Sequence, residues 1–258
     1  MTPEAERLAA ALRRHPDLTI AVSGGVDSMT LAAFAHRTIP TRMVHAESPA
    51  VPIEATARLR DMAHGLGWDL RVVEAGEFSD PDYLRNPVNR CFFCKSNLYD
   101  RIGTLTDGPI ASGANTDDLG DYRPGLDAAR RRGVVHPLIE AGIDKAGVRR
   151  LARRLGLGDV AELPAQPCLS SRVETGLPIR AEDLRFIHAV ERAGRELLPE
   201  IGTLRCRVLH EGVVIETSPL AEDERAALEA LAAAMAADAG RPIAGWRPYR
   251  RGSAFLTG

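Results

Sequence analysis

The sequence predicts an α/β protein, a doubly wound parallel sheet followed by a smaller C-terminal α+β domain. Three observations lead to that class. Short apolar runs of strand length recur through the first two thirds of the chain. Segments with helical spacing separate them, and this alternation is the pattern of a parallel sheet wrapped by helices. After a stretch rich in Pro and Gly, the order changes to helix, two strands, helix and strand.

Residues 4–14 read as an amphipathic helix, and 18–22 (Leu-Thr-Ile-Ala-Val) as a buried parallel strand. A helix is expected over 29–36. Apolar runs at 41–45, 70–73 and 109–112 supply further strands, separated by helical segments at 54–66 and 94–102. Beyond a helix at 145–155, residues 157–178 carry little periodicity and read as a functional loop and junction. The remainder gives a helix at 181–198, strands at 204–209 and 213–217 around the turn Glu211-Gly212, a helix at 220–237 and a strand near 245–249. The expected division is 1–165, a junction at 166–180, and 181–258.

Composition narrows the function classes. The 258 residues are 45% hydrophobic and 26% charged, the balance of a globular chain with a real core. A formal net charge of -2 gives no global field toward nucleic acid, and the basic runs Arg130 to Arg132 and Arg149, Arg150, Arg153, Arg154 read as solvated helix faces. No run approaches the roughly 20 apolar residues of a membrane span, so no membrane partner and a cytoplasmic location are expected. Four cysteines are too few for a disulfide framework, and in a reducing compartment such thiols are metal ligands or reactive groups.

Ser23-Gly24-Gly25-Val26-Asp27-Ser28 lies between an expected buried strand and a helix, the place of a nucleotide phosphate in an open α/β sheet. The glycines let successive N–H groups converge on an anion, and the helix adds its positive end. Ser23 and Ser28 add hydroxyl donors. Asp27 would repel a phosphate unless a cation intervenes, which implies Mg²⁺. The loop lacks the Gly-Lys-Ser/Thr ending used in γ-phosphoryl transfer, which argues against a kinase or GTPase. These six residues match the SGGxDS signature of the PP-loop ATP pyrophosphatases. That resemblance implies a Rossmann-like, HUP-type sheet, cleavage of ATP between the α- and β-phosphates, and transfer of AMP to a substrate oxygen.

Cys91-Phe92-Phe93-Cys94 brings two thiols within reach of one metal ion or cluster, flanked by Arg90 and Lys95. A structural zinc half-site or two packed thiols account for that spacing equally well. Cys168 stands in Pro167-Cys168-Leu169-Ser170-Ser171-Arg172, where Arg172 is the first candidate to hold an anionic substrate. Cys206, between Arg205 and Arg207 on a strand, reads as core. The two arginines share the opposite face and are placed to grip one phosphate or to form a solvated pair. His45, His136 and His210 read as packed or hydrogen-bonded residues beside strands.

Together, Arg90 to Lys95, Gly113-Ala114-Asn115-Thr116-Asp117-Asp118 through Asp121-Tyr122-Arg123-Pro124-Gly125, Pro137-Leu138 before the Lys145 helix, and Cys168 to Arg172 resemble the LarE family. That family puts sulfur into a pyridinium biscarboxylate mononucleotide to make the nickel-pincer cofactor of lactate racemase. The resemblance implies ATP and Mg²⁺ as cofactors, an anionic nucleotide substrate adenylated on a carboxylate, and a homo-oligomer. It places Gly113 with Ser23, Gly24, Gly25, Asp27 and Ser28 at the nucleotide, and Arg123, Ser171, Arg172, Arg205 and Arg207 at the substrate. In one version of the family, a cysteine matching Cys168 attacks the acyl-adenylate and is left as dehydroalanine. In the other, three cysteines hold a [4Fe-4S] cluster that carries a replaceable sulfide; Cys91, Cys94 and Cys168 fit that set, so the cluster version is the favoured expectation and a [4Fe-4S] cluster joins the expected cofactors. The sulfur donor is not identified by the sequence. The competing readings are a tRNA thiolation enzyme, an ammonia-using ATP pyrophosphatase ligase, and a nucleotide-binding module without chemistry.

Overall fold

The computed structural model describes residues 2–120, 123–164 and 167–250. The chain opens with α1 (Pro3–Arg13), β1 (Leu18–Ala21), α2 (Val26–His36), β2 (Thr41–Ala46), α3 (Ile53–Leu66) and β3 (Asp69–Val73). It continues through α4 (Pro81–Leu84), α5 (Arg90–Gly103), β4 (Ile110–Ser112), α6 (Pro124–Arg131), α7 (Pro137–Glu140) and α8 (Lys145–Arg154). The last elements are α9 (Ala181–Leu197), β5 (Leu204–Leu209), β6 (Gly212–Thr217), α10 (Glu222–Asp238) and β7 (Ile243–Pro248).

Two compact units result, Met1–Asp80 with Asn89–Gln166, and Pro81–Val88 with Pro167–Gly258. The division differs from the one read in the sequence, because the eight residues Pro81–Val88 belong with the second unit.

In the first unit the sheet order is β3-β2-β1-β4, and every pairing is parallel. All four residues of β1 are buried, as a central parallel strand covered on both faces requires. Leu18, Ile20, Met29, Leu31, Met43 and Leu59 anchor one core with α1, α2, α3 and α8. Ala21, Val44, Leu98, Tyr99, Ile102 and Ala129 form the other with α5 and α6. The α/β class expected from the sequence is therefore the one observed. Three arginines of α8 are engaged in contacts. Arg149 donates to the Ala161 and Leu163 carbonyls, while Arg150 and Arg153 pair with Glu4 and Glu162.

The second unit packs α9 and α10 with a three-stranded sheet in the order β5-β6-β7. The hairpin β5/β6 is antiparallel, and β7 joins β6 in parallel after the α10 crossover. No helix among the described residues is long and apolar enough to cross a membrane.

Several elements depart from the expected boundaries. Helix α2 begins at Val26 rather than residue 29, because Gly25 takes the N-cap position. Helix α5 begins at Arg90, so both cysteines of the Cys-x-x-Cys pair sit on it. Helix α6 occupies a stretch to which the sequence assigns no element and includes Arg130 and Arg131 of the expected basic helix face, and short 3-10 turns at Gly158–Glu162 and Leu169–Arg172 organise the expected irregular segment.

His45, on β2, is 1% exposed and joins two elements. Its Nδ1 lies 2.9 Å from the Val22 carbonyl, which identifies Nδ1 as the donor, and its Nε2 then accepts from Thr56 Oγ1 at 2.8 Å. Burial lowers its pKa below the ordinary value, against the opposing pull of the Val22 carbonyl and Glu47. The unfolded chain thus takes up this proton first. The associated stability is complete above about pH 6.5 and drains as the pH falls toward the folded pKa, at about 1.4 kcal/mol per unit of difference. Urea denaturation between pH 7.5 and 5 should show a flatter pH dependence for His45→Gln than for the wild type; parallel curves would contradict this.

Candidate functional site

Strand β1 is flanked by β2 and β4, and its loop and the loop after β4 meet at the C-terminal edge where strand order reverses. Ligands of open α/β sheets bind in that crevice. After Val22 the chain turns through Ser23 and Gly24, whose φ of +81° is left-handed and favours glycine. A Cβ on Gly24 would also stand 2.9 Å from the Ala55 carbonyl oxygen. No side chain caps α2, so its first-turn N–H groups, on Val26, Asp27 and Ser28, are available to an anion. Ser28 Oγ instead closes the loop, accepting from Ser23 N–H at 3.0 Å and donating to the Gly25 carbonyl at 3.2 Å. Ser23 stays exposed. Of the two expected hydroxyl donors, Ser28 serves the loop's own shape.

The β4 loop presses against this turn. A Cβ on Gly113 would fall 2.7 Å from Ser28 N and Cα, so only glycine allows the approach. Asn115, 3% exposed, caps the 3-10 turn Thr116–Leu119 and donates from Nδ2 to Asp27 Oδ1 at 3.1 Å. Lys145 Nζ lies 2.5 Å from Asp27 Oδ2. Asp118 accepts from Asn115 N–H at 3.1 Å and pairs with Arg123 at 3.0 Å, which fixes Arg123 beside the same loop. Asp121 and Tyr122 lie outside the described residues. Arg58 donates to the Gly24 carbonyl at 3.4 Å. Beside the loop, a groove of roughly 410 Å³ opens past the ends of β2 and β3, with Glu47, Ser48, Thr56, Arg60 and Phe78 among its walls.

Asn115 and Lys145 are the residues that sequence reasoning did not assign. Asn115 lies within the motif that begins at Gly113, two positions further on, so its place in the loop was visible. Lys145 is 118 positions from Asp27, and no local pattern ties them.

Cys91 and Cys94 lie one helical turn apart at the start of α5, half-buried and not disulfide-bonded. Between them, Phe92 and Phe93 meet edge to face at 5.5 Å, and the Arg131 guanidinium stands 4.8 Å over the Phe92 ring. Among the described residues, no group of three or more His, Cys, Asp or Glu side chains is gathered to hold a metal ion.

In the second unit, Cys168 is half-buried and occupies the N-cap position of the 3-10 turn Leu169–Arg172, with no capping hydrogen bond from its side chain. Its carbonyl accepts from Ser171 N–H at 3.0 Å and from Arg172 Nη1 at 3.2 Å. Arg172 is 4% exposed, and its guanidinium also donates to the Pro167 carbonyl at 2.7 Å and Ser171 Oγ at 3.0 Å. Its Nε and Nη2 form a two-pronged pair with Glu191 at 2.9 and 3.0 Å. Burial opposes the Glu191 charge, yet Arg172, with Arg205 and Arg195 beyond, holds its carboxyl below its usual value. The Arg172 donors are engaged inside the fold, where they brace the Cys168 turn.

Two further contacts brace the same turn. Tyr83 Oη lies 2.7 Å from Ser170 Oγ, and Asn86 Nδ2 donates to the Glu174 carbonyl at 2.8 Å. Arg207 donates to the Ser171 carbonyl at 3.0 Å and pairs with the buried Glu216 at 2.7 Å. Arg205, half-buried on the same strand, has its guanidinium 5.8 Å from the Tyr249 ring. Cys206 is fully buried, and burial pushes its thiol pKa far up, in keeping with a core residue. Ala165 and Gln166 lie outside the described residues.

No protein-family model matches the chain. It is 40% identical to an uncharacterized protein of Synechocystis sp. over 178 residues, 67% of this chain and 66% of that protein. It is 28% identical over 197 residues to the pyridinium-3,5-bisthiocarboxylic acid mononucleotide synthase of Lactiplantibacillus plantarum, covering 74% and 71% of the two chains. One chain of the glutamine-hydrolyzing GMP synthase of Methanopyrus kandleri is 29% identical over 210 residues, 72% of this chain and 65% of the relative. The chain thus spans 66% of the first relative's length, just short of two thirds.

Gly113→Ala should destabilise the protein by roughly 1–3 kcal/mol, since the added methyl meets backbone rather than a movable side chain. Denaturant unfolding of the full chain checks this, and an unchanged midpoint would contradict the close approach. Tyr83→Phe should cost about 1–2 kcal/mol by leaving the Ser170 hydroxyl without its partner, and should speed alkylation of Cys168. Unaltered melting and alkylation would mean that the pair does not brace the turn.

Proposed function

Because the chain belongs to the LarE family of PP-loop ATP pyrophosphatases, we propose that it inserts sulfur, at the expense of ATP, into a carboxylated pyridinium mononucleotide. The observation that carries this reading is the acid inside the phosphate loop. Asp27 stands in the first turn of an uncapped helix, with its carboxylate already facing a cation and an amide. That arrangement suits a metal-bound pyrophosphate leaving group, and the loop has no lysine of the kind that serves γ-phosphoryl transfer.

Adenylation gives the substrate carboxylate a leaving group, since oxide cannot be expelled directly. The first-turn amides of α2 and the Ser23 hydroxyl would bind the β- and γ-phosphates, and the groove past β2 and β3 would take the nucleoside. The donor set at Asp27, an exposed-side carboxylate beside a phosphate cradle, fits Mg²⁺. When bound there, it would neutralise charge growing on pyrophosphate. Ser171, Arg123 and Arg205 are proposed to contact the anionic substrate, with the buried Arg172 and Arg207 positioning the backbone beside them.

Sulfur is then delivered at Cys168. Its thiolate attacks the acyl carbon and AMP departs, giving a thioester. Loss of the Cys168 α-proton with cleavage of its Cβ–S bond releases the thiocarboxylate and leaves dehydroalanine. The other version uses a [4Fe-4S] cluster on Cys91, Cys94 and Cys168. Its support is the pair of half-buried thiols one turn apart on α5, which adenylation alone does not need. A homo-oligomer and a cytoplasmic location belong to the same proposal, and an ammonia-using ligase would have no use for Cys168.

With ATP, Mg²⁺ and the mononucleotide, the protein should release AMP and pyrophosphate, and Cys168→Ser should release pyrophosphate without transferring sulfur. Formation of ADP and phosphate would sink the proposal. Anaerobic iron and sulfide analysis then separates the two versions. About four irons, lost in Cys91→Ala, Cys94→Ala and Cys168→Ala, assign delivery to a cluster. Iron-free protein whose mass falls by one H₂S after turnover assigns it to Cys168.

A further inference from the structure

Among the described residues, none neutralises the buried acid Glu77. It opens the 3-10 turn Glu77–Ser79 after β3, behind Gly76, whose φ of +87° is left-handed. The residue is 5% exposed, yet no hydrogen bond or ion pair among the described residues engages its carboxylate. Burying a carboxylate without a partner is costly, and elsewhere the fold avoids it by pairing Glu191 with Arg172 and Glu216 with Arg207. Glu77 instead lines the groove of roughly 410 Å³ beside the phosphate loop. Arg60, on the same groove, is already paired with Glu47. The neighbouring walls are apolar, made by Pro49, Val51, Ile53 and Phe78, and Ile53 leaves 61% of its surface in water at the start of α3. Apolar walls around a few acceptors make a slot for a flat ring carrying hydrogen-bond donors.

We infer that Glu77 reads the ribose of the nucleotide, accepting from its 2′- and 3′-hydroxyls, and so makes the site selective for ribonucleotides. This inference rests on the ATP reading given above. An ionised carboxylate only accepts, and its two oxygens are best met by two donors side by side. A cis-diol offers that pair. The amino edge of adenine does not, because a ring nitrogen acceptor adjoins the amino group and would face a carboxylate oxygen. In doubly wound sheets, an acid beyond a strand end that takes the ribose hydroxyls is a recurring solution. Guanine also presents two adjacent N–H donors, and measurement separates it from the diol.

Calorimetry on the full-length protein with Mg²⁺ compares α,β-methylene-ATP, which cannot be cleaved at the α–β bridge, with its 2′-deoxy form and with its guanine counterpart. The wild type should bind the ribose form about ten- to a hundredfold more tightly than the deoxy form, as expected for a hydrogen bond to a charged group. Glu77→Ala should erase that preference, chiefly by weakening the ribose form, and Glu77→Gln, which keeps one acceptor, should fall between. A merely structural role would weaken both sugars alike and leave their ratio unchanged. Equal wild-type affinities for the two sugars, or a preference that survives in Glu77→Ala, overturns the inference while the ATP reading stands. Tighter binding of the guanine counterpart means that the acid reads a base, and also overturns it. The wild-type comparison holds even where Glu77→Ala fails to fold. Wild-type protein that binds none of the analogues overturns the ATP reading and this inference together.

Discussion

A carboxylate in the proposed phosphate-binding turn is an electrostatic contradiction, and the contacts around Asp27 resolve it. Asp27 cannot face phosphates without a cation, so the β4 loop and the start of α8 both converge on its two oxygens. That convergence requires the β4 loop to lie against the backbone of α2, which is why Gly113 must have no side chain. The parallel sheet order makes the convergence possible by placing β4 directly beside β1. Charge, close backbone approach and topology here form one constraint.

The second unit meets a different problem, how to hold a half-exposed cysteine still in a short irregular turn. It does so with buried charge. Arg172 and Glu191 form a two-pronged pair at 5% side-chain exposure each, and Arg207 and Glu216 form a second at 7% and 1%. Such pairs add little net stability, since desolvation offsets their attraction, but removing one partner leaves a buried charge. Their contribution is geometric. Arg172 spends its remaining donors on the carbonyls of Pro167 and Cys168, and Arg207 on that of Ser171. The backbone around Cys168 is thereby fixed while its side chain stays partly open.

The two units divide the proposed chemistry. The first supplies activation, through oriented amides and a neutralised acid, and the second supplies the sulfur nucleophile and the guanidinium groups near it. In that proposal, Cys168 and its bracing residues are what sulfur transfer requires beyond activation.

Much of this was legible in the sequence, because local physics decides it. Period and length gave the parallel strands, since a strand buried on both faces reads as one apolar run, as Leu18 to Val22 does. Gly-Gly between strand and helix gave the phosphate turn, and the acid within it implied a cation. Other features required the folded chain. Whether Ser28 meets a ligand or its own loop depends on the angle at which α2 begins, which Gly25 leaves open. Arg172 looked like an anion holder because charge is visible in sequence, whereas Glu191, which neutralises it, is 19 positions away and approaches through helix packing. Lys145 reaches Asp27 across 118 positions only because α8 starts at the same sheet edge. The sequence by itself determined which chemical groups are present and what their neighbours in the chain permit. Tertiary structure alone decided which charges meet, because pairing depends on distance in space, and no local rule carries that distance.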